Sequence, residues 1–295
     1  MSSSFDHCQR FLFESTQLRG EIVQLETSWQ QLLERNDYPA SVRQILGECV
    51  VAAILLSSTL KYEGSVTLQI QGKGPVHLLV VQVTSEKTFR AVVEHKEEAA
   101  HCTSPTALFA DANLIMTLES RNQKERYQSI IALHHDTLSE AIDEYFSRSV
   151  QLRTRIWLGS SKNSLGGLLI QEMPRTSHVK SDESYWEHIQ ILSETITAEE
   201  LCELETVQIL HRLYHEENIR LFDADPVRFY CPCSKTRFAG SLASLGREEL
   251  EDILAEQGAI KVQCDFCSQK YQFDRVDVEA MFAENIVSEN PKNTH

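Results

Sequence analysis

The chain has 295 residues, 42% of them hydrophobic and 24% charged, the balance of an ordinary globular protein. That length covers one large domain plus a smaller one, with enough apolar material for a substantial core. The formal net charge of −15 works against tight nucleic-acid binding, which draws its affinity from neutralising phosphates. The longest continuous apolar run, Cys49 to Leu56, falls far short of the roughly 20 residues of a membrane-spanning helix.

Strands and helices alternate in the first part. LRGEIVQLE (18–26) predicts a strand and SWQQLLERN (28–36) a short helix. Pro39 opens a long helix through Leu60, on which Val42, Ile45, Leu46, Cys49, Val50, Ala53 and Ile54 form one apolar face at helical spacing. After Gly64 the period changes to two. SVTLQIQ, VHLLVVQVT and TFRAVVEH read as strands, the first pair joined through GKGP. NLIMTLES and YQSIIALH look like another pair, and TLSEAIDEYFSRSV is a helix whose Thr137 and Glu140 form a capping box. TRIWLGS and GGLLIQEM close the region as strands. Strands that mostly follow one another predict an α+β domain over 1–178 with largely antiparallel pairing.

Pro174 and a polar stretch mark the next boundary. Residues 179–226 read as an acidic helical linker, for Val179 to Asp225 carry 3 basic and 12 acidic side chains, most of the excess charge of the chain. Ser181 or Asp182 can cap ESYWEHIQILSET, and Thr197 with Glu200 forms a second capping box before LCELETVQILHRLYHEE. Short amphipathic helices of this kind are held mainly by what they pack against. Most single charges of the acidic face read as simple solvation, and the concentration of charge beside apolar stripes leaves a conditionally folded linker as a second reading.

The last part, 227–295, holds four of the eight cysteines. Cys231 and Cys233 stand one residue apart in FYCPCSKTRF, and thirty residues later Cys264 and Cys267 form a Cys-x-x-Cys in VQCDFCSQKY. Between them REELEDILAEQG predicts a helix ended by Gly258, and AIKVQC a strand leading into the second pair. Four thiolates at about 2.3 Å in a closed tetrahedron suit structural zinc, one ion per chain. The N-terminus shows no basic region followed by an apolar stretch, so the expected location is the cytoplasm, where thiols stay reduced. Two readings of the metal remain open. A static zinc ribbon is the one that spacing alone favours. The chemistry also permits a switch, because zinc-held thiolates are the form that oxidants attack and each pair is local enough to close on itself.

The surroundings of these cysteines resemble the heat-shock protein 33 family of redox-regulated chaperones. The resemblance rests on Cys-x-Cys, the long spacer and Cys-x-x-Cys, and on RFYCPCSKTR, LGREELEDIL, CDFCSQKYQFD, LRGEIVQL, GGLLIQEMP and LHRLYHEENIRLF, so that it covers nearly the whole chain. Val150 and Arg153, in SVQLRTR, stand where the family typically has Glu and Pro. The resemblance implies a reduced, zinc-bound form with little activity. It further implies that oxidation forms Cys231–Cys233 and Cys264–Cys267 disulfides, releases zinc and unfolds the C-terminal domain with its linker. The exposed protein then holds unfolding client proteins without ATP, commonly as a homodimer.

The remaining candidates are weaker. Cys49 lies on the apolar helix face and is expected in the core, while Cys8, Cys102 and Cys202 have no paired partner in sequence. His211 and His215 are spaced one helical turn apart without a zincin motif, His134 and His135 stand side by side, and Gly72 and Gly74 suit a hairpin better than a phosphate loop. No nucleophile–base constellation supports an enzyme. A zinc-ribbon interaction module with a purely structural metal and a thiol–disulfide oxidoreductase are the alternatives, the latter disfavoured by the lack of a thioredoxin-like setting around Cys-x-x-Cys.

Overall fold

The computed structural model describes residues 5–14, 16–59, 63–121, 126–147, 152–173 and 183–288. Two compact units follow one another along the chain, Met1–Tyr230 and Cys231–His295. The first opens with β1 (His7–Phe13) and β2 (Leu18–Leu25), then α1 (Thr27–Leu33) and α2 (Ala40–Thr59). A meander of β3 (Gly64–Gln71), β4 (Val76–Thr84) and β5 (Thr88–His95) leads through α3 (Pro105–Phe109) to the hairpin of β6 (Asn113–Ser120) and β7 (Arg126–Ala132). After α4 (Leu138–Tyr145) come β8 (Thr154–Ser160) and β9 (Leu165–Glu172). Then follow α5 (Glu183–Ser193), α6 (Ala198–Glu203), α7 (Thr206–Tyr214), β10 (Ile219–Pro226) and β11 (Arg228–Phe229).

These strands build two sheets, in the orders β10-β1-β2-β9-β8 and β11-β5-β4-β3-β6-β7. Every pairing is antiparallel except the short β11 beside β5. The fold is therefore α+β with antiparallel sheets. β1 was not evident in the sequence, and its partner β10 lies about two hundred positions away, with His7 opposite Pro226 and Phe13 opposite Ile219. The stretch expected to be a wholly helical linker thus ends in a strand of the first sheet. Val227 is buried in the main core and its N–H donates to the Asp6 carbonyl.

α2 is buried on more than the one face that its spacing suggests. Every residue from Cys49 to Ser58 is buried, because the helix packs on β2, β8 and β9 of one sheet and on β3, β4 and β5 of the other. A helix apolar all round belongs inside a core. Its hydropathy of 1.5 and its 20 residues would also allow a membrane crossing by length and composition, although no continuous apolar run is that long. Here 72% of that window is buried inside the protein.

The opposite face of the first sheet carries Phe11, Phe13, Leu18, Ile22, Leu168 and Ile170, all buried. α5, α6 and α7 cover it with Ile189, Leu201, Ile209, Leu213 and Tyr214. The sheet can take a helix so closely because glycine lies under α6. A Cβ on Gly166 would come within 2.1 Å of the Leu201 carbonyl oxygen, and one on Gly159 within 2.6 Å of the Ala198 carbonyl oxygen. The continuous helix predicted from Leu201 to Glu217 is broken at Leu204 and Glu205, which are both extended. Gln24, buried in β2, explains the break: its amide donates to the carbonyls of Leu201 (3.1 Å) and Leu204 (2.6 Å), carbonyls that a continuous helix would have used internally. Glu205 and Gln208 then form a fresh capping box for α7. The expected box of Thr197 and Glu200 is present with both arms. At Thr137 the hydroxyl accepts from the Glu140 N–H, 3.3 Å.

Arg153 ties the start of α5 to this sheet. Its guanidinium lies 2.8 Å from Glu183 and 4.0 Å from Glu172, while Arg155 reaches Asp143 at 3.0 Å and Glu194 at 3.8 Å. Val150, the Pro174 boundary and the proposed caps Ser181 and Asp182 lie outside the described residues.

The second unit contains α8 (Lys235–Ala243), α9 (Arg247–Gln257), the hairpin of β12 (Ile260–Gln263) and β13 (Lys270–Phe273), and α10 (Arg275–Ser288). Gly258 ends α9 in the left-handed region at φ 75°, where a side chain would be strained. The core here is small. Among the described residues its cluster of buried apolar side chains is Leu242, Leu250, Ile260, Phe273 and Val278.

Candidate metal centre

Local structure brings the two cysteine pairs together inside the second unit. Ser234 caps α8 by accepting the Arg237 N–H at 3.2 Å, which places Cys233 at the mouth of that helix. The Arg237 guanidinium turns back to the Pro232 carbonyl, 3.0 Å away, and holds the Cys-Pro-Cys bend. On the other side β12 delivers Cys264 to the tip of its hairpin. The Ser268 N–H donates to the Cys264 carbonyl (2.7 Å) and the Cys264 N–H to the Gln269 carbonyl (3.0 Å), folding Cys264–Cys267 into a knuckle. Ser268 sits in the left-handed region at φ 54° to complete it.

All four Sγ atoms lie within 4.8 Å of one another. Cys231 and Cys264 approach to 3.6 Å, and Cys233 and Cys267 to 3.3 Å. A tetrahedron with metal–sulfur bonds of about 2.3 Å has sulfur–sulfur edges of about 3.8 Å. The spacing therefore fits a four-thiolate metal site and is compatible with zinc. Cys264 and Cys267 are buried, whereas Cys231 and Cys233 are partly exposed. The two close approaches cross between the motifs, as expected for four ligands around a shared centre.

The environment differs from one thiol to the next. Burial pushes Cys231 up, against a hydrogen bond from the Cys233 N–H. Burial likewise pushes Cys267 up to about 12, opposed by the Gln269 N–H. At Cys233 burial also acts upward, but hydrogen bonds from the Tyr271 phenol and the neighbouring thiols outweigh it and bring the group below its ordinary value. The Tyr271 oxygen lies 3.2 Å from Cys233 Sγ, and that bond is the main reason its own value rises to about 12. Tyr271 was not singled out in the sequence; its only signal there was a place on the strand following Cys-x-x-Cys. Thiols raised in this way stay protonated at neutral pH until a metal displaces the protons.

The other cysteines and histidines are elsewhere. Cys49 is buried in α2, where desolvation raises it strongly. Cys8 is buried beside Glu21, whose carboxylate it meets at 3.6 Å, and burial first and Glu21 second push it far up. Cys202 is a buried residue of α6 and raised to about 11 by desolvation. Cys102 is partly buried at the end of a 3₁₀ turn. The His211 and His215 rings are 5.9 Å apart on one face of α7, and His135 pairs with Glu144 at 2.6 Å. Among the described residues, the four clustered cysteines are the group of three or more such donors close enough to hold an ion. Gly72 and Gly74 close the β3–β4 hairpin against α3, where a Cβ would strike the Phe109 or Leu108 carbonyl oxygen at 2.2 or 2.4 Å.

Comparison with known proteins agrees with this architecture. The profile of the family described as Hsp33 protein matches residues 6–274. The 33 kDa chaperonin of Nitrosococcus oceani is 44% identical over 281 residues, covering 95% of this chain and 96% of that one. The 33 kDa chaperonin of Shewanella loihica is 41% identical over 279 residues, covering 95% and 96% respectively. The crystal structure of the 33 kDa chaperonin of Thermotoga maritima, a heat shock protein 33 homolog, superposes with a TM-score of 0.78 at 22% identity over 96% of this chain and 99% of that one. That last likeness speaks to the fold. The match of family, length and fold leads to one conclusion: this chain is a member of the Hsp33 family.

Proposed function

We propose that the protein is a redox-regulated, ATP-independent holdase chaperone of the cytoplasm. Cys231, Cys233, Cys264 and Cys267 hold one zinc ion in the reduced, inactive state. Zinc, when bound, keeps the four sulfurs as thiolates and ties the hairpin tip to the mouth of α8. An oxidant such as peroxide converts the four thiolates into Cys231–Cys233 and Cys264–Cys267 disulfides, and the zinc is released. The C-terminal domain (227–295) and the linker (179–226) then unfold, while the core domain (1–178) stays folded. The opened protein, as a homodimer, binds unfolding client proteins and keeps them from aggregating. Neither an enzymatic activity nor nucleic-acid or membrane binding forms part of the proposal.

The observation that carries this reading is the cluster of four sulfurs within 4.8 Å in a unit whose apolar core cluster has five buried members among the described residues. Such a core rarely supplies more than about 3–5 kcal/mol, whereas a structural zinc contributes about 10–16 kcal/mol of apparent binding free energy in small peptides. Loss of the metal is then loss of the fold. The linker supplies the second half of the argument. Its helices cover Phe11, Phe13, Leu18, Ile22, Leu168 and Ile170, and their departure would open an apolar sheet face suited to unfolded chains.

The burial of Cys264 and Cys267 favours a second reading, a closed zinc-ribbon interaction module whose metal is purely structural. One paired assay separates the two. Peroxide with mild heating is expected to release about one zinc per chain and to suppress the aggregation of a denatured client. Zinc release without client protection rejects the chaperone reading. Retention of zinc and fold under oxidant rejects the switch and leaves the ribbon.

A further inference from the structure

Tyr271 holds the metal centre from outside its ligand set. It lies on β13 opposite Val262 of β12, and its ring packs at a 42° tilt against Phe238 of α8 with centroids 5.2 Å apart. This packing leaves the phenol oxygen 3.2 Å from Cys233 Sγ. With free thiols either atom could donate that hydrogen bond. A metal-bound sulfur carries no proton, so in the zinc form the phenol must be the donor. Cys233 is also one of the two partly exposed ligands, and so within reach of a soluble oxidant.

We infer that Tyr271 is a positioning residue for the redox switch, whose O–H donates to the Cys233 thiolate, strengthens metal retention and slows oxidation of that sulfur. The inference rests on the switch reading above and gives it a threshold. A hydrogen bond to a ligand sulfur draws charge from its lone pair, the pair that must attack the oxidant. In the attack on hydrogen peroxide an S–O bond forms as the O–O bond breaks, giving the Cys233 sulfenic acid and hydroxide. The Cys231 thiolate then displaces a second hydroxide from that sulfur and forms the S–S bond. Two electrons pass from the sulfurs to one peroxide, and two protons from solvent convert the hydroxides to water. The phenol opposes the first of these steps and loses its anionic acceptor in that same step, when the Cys233 thiolate becomes a sulfenic acid.

The test uses the full-length reduced chain and three forms: wild type, Tyr271→Phe and Phe238→Leu. The Phe variant keeps the ring and removes the hydroxyl; the Leu variant removes the ring of Phe238 that packs against Tyr271 and keeps the hydroxyl. Metal affinity is read by competition with a chromophoric chelator, and the sulfur environment by the thiolate-to-metal charge-transfer band of the cobalt(II)-loaded protein. Tyr271→Phe is expected to weaken zinc binding about tenfold or more, to move the band to lower energy and to release zinc severalfold faster in peroxide. Phe238→Leu is expected to leave the band in place. A Tyr271→Phe band and affinity equal to wild type would overturn the inference, as would an equal band shift in Phe238→Leu. If wild type itself keeps its zinc in peroxide, the switch reading fails, while the cobalt band still decides whether the hydroxyl holds Cys233.

Discussion

The two units of this chain solve the stability problem in different ways. Among the described residues, the first folds around a core of forty buried residues, with α2 between two sheets, and a further cluster of thirteen under the linker helices. The second has a core cluster of Leu242, Leu250, Ile260, Phe273 and Val278 among the described residues, and beside them four sulfurs close enough to hold one metal. Apolar burial is spread over many contacts, none of which an oxidant removes; a four-ligand centre fails at once when its sulfurs change chemistry. On the proposed mechanism, a chain that combines the two loses one part to an oxidant and keeps the other. The linker is intermediate. It is buried against the first sheet, yet it is made of short helices that have little stability of their own.

The sharpest way to break this comparison is to take the metal away without oxidant. Replacing Cys264 and Cys267 with Ser should abolish zinc binding and unfold the second unit, a loss on the order of 10 kcal/mol. Circular dichroism should show the loss of α8 to α10, while the cooperative melt of the first unit persists. A second unit that stays folded without metal would put its stability back in the small core.

Next comes the seat of the linker. Gly166→Ala adds a Cβ that would lie 2.1 Å from the Leu201 carbonyl oxygen, and backbone cannot yield as a flexible side chain can. About 1–3 kcal/mol of destabilisation, or displacement of α6, is expected. On the proposed mechanism this variant protects a client at lower oxidant doses, measured by light scattering. Unchanged dose dependence would separate linker docking from activation.

Ser268→Gly should act in the opposite direction. Its φ of 54° suits glycine, and relief of that strain is expected to raise the melting temperature of the zinc-bound second unit by an amount equivalent to about 1 kcal/mol. A lower melting temperature would mean that the Ser268 side chain contributes more than its backbone costs.

The smallest effect concerns Arg153. Its partner Glu183 is 72% exposed, so Arg153→Ala should cost about 0.5 kcal/mol and reduce the salt sensitivity of linker melting. Equal salt dependence in variant and wild type would remove this pair from the account.

Much of this arrangement was legible in sequence because the signals were local. The alternation in SVTLQIQ and VHLLVVQVT produced β3 and β4, the Thr197–Glu200 box started α6, and Gly258 stopped α9. The cysteine clamp was legible for the same reason, since thiolate ligation demands residue type and spacing more than context. What escaped depended on distant partners. β1 and β10 are strands because each completes the other across the chain, and the break at Leu204 and Glu205 exists because Gln24 of β2 claims two carbonyls. α8 was hidden by Gly240 and by small residues that blur its periodicity. Tyr271 could be found only once β13 had placed it against Cys233.

The central claim is that oxidation unfolds the metal unit and the linker while sparing the core. Hydrogen exchange of the full chain, reduced with zinc against peroxide-treated, tests it most directly. The account predicts that protection is lost over 183–226 and 231–282 and kept in α2 and in β3 to β6. Zinc release with protection unchanged over 183–226 would contradict it.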